Sequence, residues 1–198
     1  MNENVTKSRR FIVIMVMVAG LPFLLAWVLM QNPQWITSRS NYGTLVVPPV
    51  TTEREQFQGA DLFSKQNIDE LKGHWVLINL VFDADCSETC QQAIHSSKQI
   101  RLMLNKDLVR LRRMVVVTDR YNREKGGDWW QRDNRLLKVI ADESITTELK
   151  RIIESEKQQG QLLVMDPLGN IMLFYNAGFD PYGVKKDLKK LLRASQIG

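Results

Sequence analysis

Only two cysteines and two histidines occur among 198 residues. That scarcity excludes a disulfide-stapled scaffold, a four-cysteine zinc site and most histidine-rich metal sites. No P-loop, G-x-G-x-x-G, G-x-S-x-G or H-E-x-x-H motif is present. Nucleotide-dependent and hydrolytic mechanisms therefore lack their usual residues. Internal repeats and low-complexity tracts are missing too. The excess of positive charge is small, 27 Lys+Arg against 22 Asp+Glu. Charges in 120–135 and 185–193 are interspersed with acids or sit at helical spacing, as on a solvated face. No nucleic-acid partner is expected from so mild a basic balance.

What the chain does have is unevenly distributed. Residues 11–30, FIVIMVMVAGLPFLLAWVLM, carry no charge. Twenty residues at 1.5 Å each reach across a hydrocarbon core of about 30 Å. Pro22 is tolerable there, because membrane helices accommodate proline. Lys7, Arg9 and Arg10 precede the run against Glu3 alone. By the positive-inside rule that end is cytoplasmic and the rest of the chain lies across the membrane, in the periplasm of a Gram-negative cell. A cleaved signal peptide is the competing reading. The run is longer than the usual signal core of about 7–15 residues, and no small-x-small cleavage site follows it. The expected division is a cytoplasmic N-terminus at 1–10, a transmembrane anchor at 11–30, a linker at 31–43 and one exported domain at 44–198. Trp27 and Trp35 flank the exit and suit an interfacial aromatic belt.

Within the domain, strands and helices alternate. Thr44–Val47 reads as a short strand stopped by Pro48-Pro49. Trp75–Phe82 (WVLINLVF) is nearly all apolar, as a strand buried on both faces should be. Residues 88–105 read as a helix with Ala93, Ile100, Met103 and Leu104 on one face, extended by Leu108 and Leu111 if it continues. Met114–Thr118 is a second buried strand. The stretch 119–135 is polar and irregular, with Gly126-Gly127 before Trp129-Trp130; one of those rings is expected on the core and the other on the surface. A helix is expected over Thr146–Lys157. Gln161–Met165 and Ile171–Tyr175 flank Asp166-Pro167-Leu168-Gly169-Asn170, a turn signature that makes them a hairpin. In the last helix Val184, Leu188, Leu191 and Leu192 share a face. The order predicts an α/β, thioredoxin-like fold with one N-terminal transmembrane helix.

Both cysteines fall at one junction, Asp85-Cys86-Ser87-Glu88-Thr89-Cys90, between the central strand and the next helix. Three intervening residues let the sulfurs approach each other. A helix N-terminus stabilises a thiolate, while Asp83, Asp85 and Glu88 work against that effect. Two functions use such a pair: thiol–disulfide exchange, with Cys86 and Cys90 as catalytic thiols, and Cu(I) binding by the same two sulfurs. A structural disulfide is the plain alternative, although so small a loop gains little from cross-linking.

The run Lys72-Gly73-His74-Trp75-Val76-Leu77-Ile78-Asn79-Leu80-Val81-Phe82, the C-x-x-x-C and Met165-Asp166-Pro167-Leu168-Gly169-Asn170 together resemble the Sco/SenC family. The resemblance spans about residues 44–195, in addition to the anchor. It implies a membrane-anchored, thioredoxin-like copper protein that assists assembly of cytochrome c oxidase. It further implies copper held by both cysteines and by a histidine about nine residues before the hairpin proline. Gln158 stands at that spacing, and residues 156–161 (EKQQGQ) contain no histidine. Gln91 follows Cys90 where the family commonly has proline. His74 starts the central strand, about 26 Å from its cysteine end. His95 is rotated about 140° from Cys90 on a helix. Neither joins the pair easily, and an X-Pro before residues 161–165, where ordinary thioredoxins keep a cis-proline, is missing.

The sequence and its resemblance thus predict a Sco-like dithiol protein that assists oxidase assembly, reducing cysteines on an oxidase subunit or a copper carrier or transiently holding Cu(I). The alternatives are a general periplasmic thiol–disulfide oxidoreductase and a non-catalytic interaction module with a structural disulfide.

Overall fold

The computed structural model describes residues 3–32, 41–118, 121, 128–153, 159–195 and 197. Trp35 and most of the linker, Gly126-Gly127 and Gln158 lie outside them. The chain divides into two compact units, Met1–Ser40 and Asn41–Gly198. The first contains α1, Glu3–Gln31, with Pro22 inside it. Its stretch Arg9–Gln31 has a hydropathy of 2.7 and is long and apolar enough to cross a membrane.

The second unit is built on β3, Trp75–Val81, in which every residue is buried. Its side chains alternate between two cores, as strand geometry requires. Val76, Ile78 and Leu80 face a cluster with Ile145, Leu149 and Ile153. The first two of these lie on α5, Glu143–Ile152. Trp75 and Leu77 face a cluster formed with α3, Glu88–Met103, and α6, Pro181–Ala194. A helix-covered sheet of this kind hides both faces, which is why β3 is apolar at every position but Asn79.

Chain order around β3 makes the fold. α3 crosses to β4, Leu111–Val117, which pairs parallel with β3. The next crossover, containing α4 at Asp128–Arg132, leads to β5, Leu137–Ala141, parallel to β4. On the other side β6, Leu162–Met165, runs antiparallel to β3 and forms a hairpin with β7, Asn170–Tyr175. The two edges are β1, Thr44–Thr51, on β7 and the short β2, Phe57–Gly59, on β5. The order across the sheet is β1-β7-β6-β3-β4-β5-β2. A six-residue helix, α2 at Leu62–Asn67, follows β2. This is the expected thioredoxin-like α/β fold.

Several local expectations change. Pro48-Pro49 does not stop β1, because β1 is an edge strand where missing N–H groups are tolerated. Its register on β7 shifts between Leu45 and Val50, across the prolines. α3 ends at Met103 and gives way to a 3₁₀ turn, Asn105–Arg110. Leu111 therefore opens β4 instead of extending the helical face, and that strand begins three residues before Met114. α5 starts at Glu143, capped by the Asp142 carboxylate accepting from the Ile145 N–H.

Candidate functional site

The chain leaves the sheet after Val81 and turns through Phe82-Asp83-Ala84-Asp85. Ser87 then caps α3, its Oγ accepting from the Cys90 N–H at 3.3 Å. Cap and helix together fix the cysteines differently. Cys86 sits just before the cap on irregular backbone, whereas Cys90 lies in the first helical turn. They are joined as a disulfide with Cα atoms 5.4 Å apart.

Their environments differ as well. Cys90 is only 2% exposed and packs with Val81, Ile94, Val115, Val117, Tyr121 and Leu136. Cys86 is half-buried and packs against the same cluster, as do Trp129 and Trp130. Both tryptophans are half-buried, so neither splits off to the surface as expected. They form an aromatic group with Tyr121, at centroid distances of 5.7 and 5.2 Å. The Lys138 ammonium lies 5.4 Å from the Trp130 ring centre. Its other partner is Asp61 at 2.8 Å. Burial opposes the charge on Asp61, but hydrogen bonds from Lys138 and Ser64 outweigh it and hold that carboxyl below its usual range. Burial, with Asp85 nearby, pushes the Tyr121 hydroxyl up to about 12. Tyr121 is therefore a neutral wall of the site at physiological pH.

The chain also reaches the cysteine loop from a distant segment. Gln159 precedes β6, and its Oε1 accepts from the Ser87 N–H at 2.7 Å. Its Nε2 donates to Asp83 Oδ2 at 2.5 Å and to the Asp85 carbonyl at 3.1 Å. Gly160 follows with φ of +99°, and a Cβ there would lie 2.9 Å from the Thr89 carbonyl oxygen. Only glycine combines that dihedral with so close an approach. On the helix side, Gln91 Nε2 donates to the Cys86 carbonyl at 3.0 Å. None of these partners was foreseen from the sequence; the glycine before the β6 strand was the single available cue.

The histidines stay apart from the pair. His74 lies at the opposite end of β3, with Nδ1 3.3 Å from the Lys72 carbonyl. His95 is on the exposed side of α3, with Nε2 3.0 Å from Gln99 Nε2. Among the described residues, no group of three or more His, Cys, Asp or Glu side chains converges to hold a metal ion. The two sulfurs alone do not make a complete copper site of the type the resemblance implies, and as a disulfide they offer no thiolate.

The domain resembles the solution structure of apo Sco1 from Thermus thermophilus, with TM-score 0.54 and 16% identity, over 78% of this chain and 99% of that one. A thiol:disulfide interchange protein from Bacteroides sp. aligns with TM-score 0.48 and 16% identity, over 78% and 91%. Yeast Sco1 with copper bound aligns with TM-score 0.47 and 12% identity, over 64% and 83%. At 16% identity the likeness to the Thermus structure is one of fold. None of the curated proteins matches the sequence. Residues 75–195, from the first residue of β3 to just beyond α6, match the family described as transmembrane-like, thioredoxin-like, C-terminal domain, and the chain belongs to that family.

Proposed function

We propose that this chain is a membrane-anchored thiol–disulfide exchange protein, with Cys86 as the attacking thiol and Cys90 as the resolving one. The observation that carries the reading is the asymmetry of the pair: Cys86 is reachable and Cys90 is 2% exposed. In the reduced protein, the Cys86 thiolate attacks a sulfur of a client disulfide. A mixed disulfide forms and one client thiolate leaves. Cys90 gives up its proton and attacks Cys86 Sγ, releasing the second client thiolate. Two electrons pass to the client, and the Cys86–Cys90 disulfide remains. An external dithiol donor must then reduce it for another cycle.

The α1 helix supplies the anchor, and Lys7, Arg9 and Arg10 favour a cytoplasmic N-terminus with the domain in the periplasm. An oxidising compartment agrees with the disulfide. The Sco/SenC resemblance of the sequence supports a finer reading, in which the clients are copper-binding cysteines of a respiratory oxidase subunit or a copper carrier. In that setting the reduced pair also holds Cu(I) as cargo in transit, since soft thiolates suit that ion.

Trapping tests the exchange. Replacement Cys90→Ser should accumulate a covalent adduct between Cys86 and its client, visible on non-reducing gels, and Cys86→Ser should not. Retention of function by the double replacement, with a pair that withstands strong reductant, would leave only the interaction module. Cu(I) titration of the reduced protein separates the copper version: stoichiometric binding lost in Cys86→Ser supports it, and no binding restricts the role to exchange.

A further inference from the structure

Gln159 spends both ends of its amide on the loop that carries Cys86. Its oxygen takes the Ser87 N–H at 2.7 Å, and its nitrogen donates to the Asp83 carboxylate and the Asp85 carbonyl at 2.5 and 3.1 Å. These contacts close over 72 to 76 residues of sequence. They are thus an interaction between β6's approach and the cysteine loop, with no local reason to exist. Gly160 adds a seat for the same segment against the Thr89 carbonyl.

The two sulfurs cannot contribute equally to opening. A disulfide holds them about 2 Å apart, and two separate thiols need nearly twice that distance. Cys90 is locked into a helical turn and packed among Val81, Ile94 and Val115. The displacement on reduction therefore falls on Cys86 and the irregular backbone of 83–87. That backbone is the segment Gln159 grips from two sides.

We infer that Gln159 is a positioning residue that biases the Cys86–Cys90 pair toward the disulfide by holding the 83–87 loop closed. The inference deepens the exchange reading, because it concerns the redox poise of the same pair. Its logic is linkage: bonds made fully in the closed loop and weakened in the open one stabilise the oxidised state relative to the dithiol. The Asp83 carboxylate makes one of the bonds charge-assisted, so the amide's loss is felt more than that of a neutral contact.

The test is the equilibrium with dithiothreitol, followed on the full chain in detergent. Dithiothreitol gives two electrons and two protons to the pair and closes to its own cyclic disulfide. Gln159→Met retains the length of the side chain and removes its amide; Gln159→Ala removes both. Each is expected to shift the equilibrium toward the protein dithiol by about threefold to tenfold, the scale of one net hydrogen bond. Melting of both redox forms is measured alongside. A larger loss of melting temperature in the oxidised form agrees with the shift. Equal losses in both forms with an unmoved equilibrium would overturn the inference and leave Gln159 as scaffold. So would wild-type behaviour of Gln159→Met. Because this readout needs no client, a chain that fails to trap clients while showing the shift would refute the exchange reading alone.

Discussion

Arg113 Nη1 donates to Asp133 Oδ2 at 2.7 Å inside the domain, with the arginine side chain 2% and the aspartate side chain 9% exposed. The same guanidinium gives Nε to Ser97 Oγ and Nη2 to the Ile94 carbonyl, at 3.0 and 2.9 Å. One side chain on β4 thereby ties the middle of α3 to the residue after α4. The cysteine helix and the tryptophan pair share this brace. Burial works against ionisation of Asp133, but Arg113 outweighs it and holds the carboxyl below its usual range.

Removing one partner of a buried pair strands the other. Asp133→Asn should cost about 3–5 kcal/mol of stability, measured by urea unfolding at neutral pH. The pH sign follows from the depressed folded pKa. The pair's contribution is complete above the unfolded value of about 4 and fades as pH falls through the lower folded value. The gap between wild type and variant should therefore narrow below about pH 4. A gap independent of pH would show that charge is not what Asp133 supplies.

Asn79 offers the opposite case. It sits on β3 at 2% exposure, and both its amide atoms are buried with no hydrogen-bond partner among the described residues. It shares a strand face with Leu77 and Val81, under the helix that carries Cys90. An unsatisfied buried amide costs about 1–3 kcal/mol. Asn79→Leu, of the same branched shape, should raise the melting temperature by about 2–6 °C. A fall instead would mean that the amide finds a partner in solution, such as a buried water.

The strand with Asn79 was legible despite that residue, because its other positions leave no polar face. The β6–β7 hairpin was legible from Asp166-Pro167-Leu168-Gly169-Asn170, where the Asp166 carboxylate accepts from the Leu168 and Asn170 N–H groups. The cysteine junction could be found because a strand end and a helix cap are local signals. β5 was not visible, since Lys138 interrupts its apolar pattern. Its charge is paired with Asp61, 77 residues away. Gln159 was hidden for the same reason: nothing within EKQQGQ announces a contact with Ser87.

Gly160 carries the next prediction. Alanine there meets two obstacles, the left-handed φ of +99° and the Thr89 carbonyl at 2.9 Å, which is backbone and cannot swing aside. Gly160→Ala should destabilise the domain by about 1–3 kcal/mol. The segment would also lift from the cysteine motif, so the variant should be more easily reduced by dithiothreitol than wild type. Unchanged stability in thermal melts would show that the loop has room to relax, and the close seat on Thr89 would then have no energetic role.

The grip of Gln159 on the cysteine loop makes position 159 the place to test a third copper donor. Its side chain already reaches Ser87, Asp83 and Asp85, one to three residues from Cys86. An imidazole suits copper and is of comparable reach. Gln159→His should therefore raise the Cu(I) affinity of the reduced protein by about tenfold or more, as a third donor joins two thiolates. Gln99→His, nine residues beyond Cys90 along α3, should leave it unchanged. The measurement is competition against a Cu(I) chelator of known affinity under anaerobic conditions. Equal affinity of Gln159→His and wild type would mean that the segment before β6 does not face the sulfurs once they are reduced.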